Sequence, residues 1–181
     1  MPLPVQLQAV VDELEVGDDE WNAFINRKTG EVTSCSRELL RCVEDEEDTS
    51  KLLDWQLELL QECRRVLEDS DFIHLPSKFD IHEYSIMERF CLSLDDDDKS
   101  GRLLDAIRGR GAFRRFKDLI HRQGIEEDWY RYRNDALKQI AADFLEAHGI
   151  PYIDDKARPG TRGGVASACR SVAIVTLNCP L

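Results

Sequence analysis

Between Leu103 and Asp118 the chain reads LLDAIRGRGAFRRFKD, which gathers Arg108, Arg110, Arg114, Arg115 and Lys117 around Gly109 and Gly111. Guanidinium groups hold phosphates and carboxylates through paired hydrogen bonds, and a helix that restarts after glycine offers free backbone N–H groups to the same anion. The chemistry on offer is therefore anion binding. From Arg102 to Arg122 seven Lys/Arg stand against Asp105 and Asp118, a local net of +5 in a chain whose formal charge is −12. Two readings compete. In the first, Arg108, Gly109, Arg110, Gly111, Arg114, Arg115 and Lys117 form a surface for a phosphate, an RNA backbone or an acidic protein partner. In the second, the same arginines neutralise the chain's own carboxylates, from Asp80 and Glu83 to the run Asp95–Asp98.

The stretch KFDIHEY brings Asp80, His82 and Glu83 together, a set capable of acid–base or metal chemistry. Its spacing points elsewhere. Asp80 followed three residues later by Glu83, just ahead of an apolar helix, is a capping-box pattern in which both side chains serve the first turn. Ile86 occupies the position where H-E-x-x-H needs its second histidine. His74, His121 and His148 are scattered, and the serines beside Cys35 sit in no nucleophile turn. Cys35, Cys42, Cys63, Cys91, Cys169 and Cys179 form no C-x-x-C pair, so buried reduced thiols are expected. No catalytic residue, metal or cofactor is assigned.

The elements that would position these groups follow from periodicity. Leu7, Val10, Val11 and Leu14 predict a helix over 4–15. WNAFINRKTGEVTSCS reads as a hairpin turning at Lys28-Thr29-Gly30, with Gly30 at positive φ, and the acidic run from Glu44 to Ser50 reads as a solvated loop. Asp54 as N-cap opens a helix with Trp55, Leu59, Cys63, Val66 and Leu67 on one face, and DFIHLP supplies a third strand. One continuous helix is expected to carry Ile81, Tyr84, Met87, Phe90, Cys91 and Leu94 inward. At the glycine–arginine segment the phase jumps. Leu103, Leu104 and Ile107 share one face, Phe113, Phe116 and Ile120 fall nearly opposite, and no straight helix buries both sets, so two helices meet at Gly109-Arg110-Gly111. The last helix opens with Glu126, Glu127 and Asp128, turns Trp129, Tyr132, Ala136, Ile140 and Phe144 inward, and stops at Gly149 and Pro151.

The expected fold is α+β, mainly helical, with a small antiparallel sheet of about three strands packed against helices on one face. With 181 residues, 42% hydrophobic and 33% charged, the chain suits one globular domain over 1–153, followed by a disordered or weakly docked tail over 154–181 that holds the β-prone run VAIVTL. The start lacks a signal-peptide pattern and no apolar run reaches a membrane span, so a cytoplasmic protein with no membrane partner is expected. The acidic balance disfavours indiscriminate attraction to polyanions.

Four ordered motifs, LPSKFDIHEYSIMERF, LLDAIRGRGAFRRFKD, WYRYRNDALKQIA and GIPY, resemble the bacterial uncharacterised protein family 0158 over roughly Leu7 to Tyr152. The resemblance implies a small bacterial cytosolic protein. It carries no activity, cofactor or catalytic residue to any position here. Three functions are ordered accordingly: a non-enzymatic binding or adaptor protein using the basic junction, an RNA- or nucleotide-phosphate-binding protein, and an enzyme on a small anionic substrate.

Overall fold

The computed structural model describes residues 2–16, 20–45 and 53–154. The chain enters through a two-residue strand, β1 (Val5–Gln6), and then helix α1 (Leu7–Val16), so the expected first helix yields its opening residues to a strand. β2 (Trp21–Asn26) and β3 (Val32–Ser36) form the expected hairpin, and Gly30 turns it at φ 71°. The turn is held from within. Asn26, buried, accepts from the Lys28 and Thr29 N–H groups at 2.9 and 3.1 Å and donates to Asp69 at 3.2 Å, so its polar atoms are satisfied away from water.

Directly after β3 comes a helix the periodicity did not announce, α2 (Arg37–Glu44), capped by the Ser36 hydroxyl, which accepts from the Leu39 N–H at 3.2 Å. α3 (Asp54–Glu68) follows, with Leu53 in the cap position and Asp54 as its first residue. Its inward face is Leu60, Cys63 and Val66, whereas Trp55 is exposed, as is Leu67. β4 (Phe72–His74) then pairs antiparallel with β2, giving the order β3-β2-β4 with Ile25 opposite Ile73 and Phe24 opposite His74.

Because side chains alternate across a strand, this register sorts the sheet into two apolar faces. Ala23, Ile25, Val32, Ile73 and the following Leu75 pack into the larger core, while Phe24, Cys35 and Phe72 pack against α2 and α3. Helices therefore cover both faces, where cover on one was expected. A strand buried on both sides loses the clean polar alternation that would have revealed this.

The remaining helices complete the larger core. α4 (Lys78–Ile81) and α5 (Glu83–Leu92) replace the continuous helix expected there, because His82 adopts a left-handed conformation at φ 50° between them. The break rotates the later turn, burying Ile86, Met87, Phe90 and Cys91 and leaving Tyr84 exposed. α6 (Asp97–Ala106) is capped by Asp96, α7 (Ala112–Gln123) begins at Gly111 and ends at Gly124, and α8 (Glu126–Ala147) stops before Gly149 at φ 67°. α8 buries Trp129, Leu137, Ala141 and Leu145, with Tyr132, Ala136, Ile140 and Phe144 half-buried beside them. Phe90, Phe116 and Trp129 meet edge-on, the closest pair, Phe116 and Trp129, at 4.8 Å between ring centres. Such packing adds specificity to the burial itself.

Two ties close the fold across sequence. β5 (Tyr152–Ile153) pairs in parallel with β1, the Val5 N–H donating to the Pro151 carbonyl at 2.9 Å. Arg133 of α8 reaches Glu15 at 2.7 Å and Glu83 at 2.9 Å, joining α1, α5 and α8 with one guanidinium. Asp154 accepts from Lys138 at 3.1 Å. The rest of the expected tail, with VAIVTL, lies outside the described residues, as does most of the acidic run after Asp45.

The thiols of Cys35 and Cys63 meet between β3 and α3 in the smaller core; their shared hydrogen bond, together with burial, pushes Cys35 upward. Burial, with a smaller push from the Glu88 charge, raises Cys91 to about 11. The hydrogen bond with Cys35 draws Cys63 downward, but a thiol reacts as its thiolate only where the reagent can reach it. All three are buried, so all three are expected to resist a maleimide in the native protein and to label within minutes in denaturant. Rapid native labelling of any one, read by peptide mass spectrometry, would contradict the assigned faces.

Candidate functional site

The phase conflict between α6 and α7 is resolved by backbone geometry. Gly109 and Gly111 stand at φ 73° and 78°, a region that residues with a β-carbon rarely enter, and the two left-handed steps redirect the chain. Leu103 and Ile107 before the turn and Phe116 and Ile120 after it thereby all reach the larger core. The end of α6 leaves carbonyls without helical partners. Arg115, one turn into α7, reaches back over the break: Nε donates to the carbonyl of Ala106, the last residue of α6, at 3.1 Å, and Nη1 and Nη2 donate to the loop carbonyls of Arg110 and Arg108, each at 2.6 Å. A cation placed on helix-terminal carbonyls also opposes the negative end of the α6 dipole. Arg115 is thus a clamp on its own loop, a role that neither sequence reading gave it.

The neighbouring cations divide differently. Arg108 pairs with Asp105 at 3.2 Å, both about three-quarters exposed, a pair of little net worth in water. Lys117 holds its ammonium 4.8 Å above the Phe113 ring. Arg110 and Arg114 are exposed and have no carboxylate partner among the described residues. Of the carboxylates expected to neutralise the cluster, Asp80 turns to Ser77, Glu83 to Arg133 and Asp96 to Lys99, while Asp95, Asp97 and Asp98 make no ion pair with it among the described residues. Internal neutralisation therefore amounts to Arg108 and Asp105 alone. What the junction displays outward is Arg110, Arg114, Lys117 and the half-exposed Phe113.

The acid–base candidates separate. Asp80 accepts from the Ser77 hydroxyl at 2.6 Å and from its N–H at 2.8 Å, and these bonds hold its carboxyl below the usual carboxylate range. The box therefore closes on Ser77, three residues earlier than the Asp80–Glu83 pattern implied, because α4 is a separate turn. Glu83 faces Arg133, His121 contacts Glu126 at 2.9 Å, and His148 contacts the Phe144 carbonyl. Among the described residues no group of three His, Cys, Asp or Glu side chains is arranged to hold a metal.

A cleft of about 290 Å³ lies between α1, the open end of the hairpin and the segment from His74 to Phe79. Leu14 and Leu75 are buried at its base, and Trp21 and Phe79 stand exposed at its rim. Ser34 donates to Glu13 Oε2 at 2.5 Å on one wall; on another, His74 Nε2 lies 3.3 Å from Asn22 Oδ1. Arg37 and Lys78 also line the cleft. Sequence reading missed this site because its residues come from α1, β2, β3, α2, β4 and α4 and share no motif; only the i, i+2 alternation of Trp21 and Ala23 hinted at a common face.

The glycine geometry sets measurable costs. Gly109→Ala meets no neighbour and should lose about 1 kcal/mol from its backbone conformation alone. Gly111→Ala adds a β-carbon 3.2 Å from Arg115 Nη1, so it should lose more and loosen the clamp. Equal stability of wild type and both variants in urea would refute the left-handed junction.

No helix among the described residues is long and apolar enough to cross a membrane. No solved structure matches the chain. The UPF0158 protein PA5073 of Pseudomonas aeruginosa is 32% identical over 66 residues, which cover 36% of this chain and 43% of that protein, so the match spans under half of the relative's length. The model of the family described as Uncharacterised protein family (UPF0158) matches residues 1–159, and within that span lie both the glycine–arginine junction and the cleft. The resemblance carried by the four motifs is thereby borne out, and the chain belongs to the Uncharacterised protein family UPF0158.

Proposed function

We propose that the protein is a non-enzymatic binding or adaptor protein whose partner is an acidic protein segment docking on the outward face of the α6–α7 junction. One observation carries this reading: Arg115 spends its guanidinium on the loop's own carbonyls, which fixes the loop and leaves Arg110 and Arg114 exposed with no carboxylate partner among the described residues. A preordered loop gives up little entropy on binding. Phe113, 42% exposed beneath Lys117, adds the aromatic contact that arginine-rich protein interfaces favour. The chain's net charge of −12 opposes a long polyanion and tolerates a short acidic segment, which favours a protein partner over RNA. The same reading places the protein in the cytoplasm, where thiols such as Cys35 and Cys63 stay reduced, and treats residues 1–153 as the folding unit.

Affinity capture from a bacterial lysate tests it with three baits: wild type, Arg110→Glu/Arg114→Glu, and Phe113→Ala. Proteins that survive nuclease on the wild type and are lost from the charge-reversed bait are expected, with intermediate loss from Phe113→Ala. Removal of every partner by nuclease, with affinity falling by roughly 0.7 to 0.9 log units per phosphate contact per decade of salt, would replace this reading with nucleic-acid binding. Identical partners on all baits would remove the junction from the function.

A further inference from the structure

The cleft beside the hairpin has the composition of a ligand site, and it lies on other elements than the basic junction. Its base is apolar and closed, formed by Leu14 and Leu75, which are 6% and 1% exposed. Its rim carries two large rings that water does not favour, Trp21 at 45% and Phe79 at 73% exposed. Aromatic side chains left open around a concavity fit a flat apolar body laid between them. The volume of about 290 Å³ matches the lower end of small-molecule sites, ~300 to 1,000 Å³.

The polar groups set the ligand's charge and orientation. Arg37 and Lys78 both line the cleft, one from the first turn of α2 and one from the first residue of α4. Neither is paired with a carboxylate among the described residues, so both charges of the lining are available to an anionic head. Glu13 is the one carboxylate in the lining. One of its oxygens takes the Ser34 hydroxyl, which leaves the other to accept from an N–H or O–H on the ligand. The Asn22–His74 contact fixes the histidine ring, and its edge-on packing against Phe24 at 5.1 Å keeps that wall rigid. We infer that this cleft binds a small aromatic anion, its ring system between Trp21 and Phe79, its acid head between Arg37 and Lys78, and a hydrogen-bond donor turned to Glu13.

The probe is 1-anilinonaphthalene-8-sulfonate, which has fused rings, an N–H and an anionic head, and which fluoresces on leaving water. Its neutral counterpart, N-phenyl-1-naphthylamine, keeps the rings and the N–H and lacks the sulfonate. Titration of the full chain should give one saturable site for the sulfonate, and Arg37→Ala/Lys78→Ala should weaken it at least tenfold, since both side chains are exposed and their removal leaves the core intact. The neutral amine should bind wild type at least tenfold more weakly and should not distinguish the two proteins. Arg110→Ala/Arg114→Ala should bind the sulfonate as wild type does, which separates this site from the junction. No saturable binding, equal binding by Arg37→Ala/Lys78→Ala, equal affinity for the two probes, or loss of binding in Arg110→Ala/Arg114→Ala would each overturn the assignment.

Discussion

The contact between the Arg115 guanidinium and the carbonyls of Ala106, Arg108 and Arg110 is the constraint on which much of the larger core rests. Two glycines in the left-handed region make the reversal sterically accessible, but accessibility alone would leave a flexible hinge with orphaned carbonyls. The clamp fixes the angle at which α7 departs. Only at that angle do Phe116 and Ile120 enter the core that Leu103 and Ile107 already occupy, and only then does Phe116 meet Phe90 and Trp129 edge-on. The same guanidinium therefore links a surface loop to the packing of α5, α7 and α8.

Electrostatics divides the surface along the same lines. Cations with a structural task face inward or sideways: Arg115 on backbone carbonyls, Arg133 between Glu15 and Glu83, Lys138 on Asp154. Arg110 and Arg114 differ from these in having no such task, and so do Arg37 and Lys78 at the cleft. In a chain of net charge −12, cations that answer no internal carboxylate mark the places where an external anion is least opposed. Under the proposed function the junction's exposed Arg110 and Arg114 receive a segment of another protein. The cleft, lined by α1, the hairpin and the β4–α4 segment, is the concavity inferred to take a small molecule.

Local signals were legible where a residue type has one structural use. Gly30 announced the hairpin turn, Pro76 closed the third strand, and the phase jump across Gly109 and Gly111 located the α6–α7 break. Signals failed where the cause is distant in sequence. The β1–β5 pair joins residues almost 150 positions apart through two residues a side, too few to show a period. α2 begins at the residue after a strand, and its eight residues carry only Leu39 and Leu40 as buried positions. His82 breaks a helix without glycine or proline to flag it. Arg115 looks like its neighbour Arg114 in sequence, and only the position of three carbonyls tells them apart. The junction was found because its residues are contiguous, and the cleft was missed because its residues are not.

That last pair gives the most direct test. Arg114→Ala and Arg115→Ala remove the same side chain one position apart on the same helix, so helix propensity and net charge change equally. Loss of three charge-assisted hydrogen bonds at an exposed loop should cost about 1 to 2 kcal/mol, which lowers the melting temperature of a chain this size by about 3 to 6 °C. The clamp predicts that drop for Arg115→Ala and a change of about 1 °C or less for Arg114→Ala. Equal melting temperatures for the two variants, or a larger drop for Arg114→Ala, would contradict it.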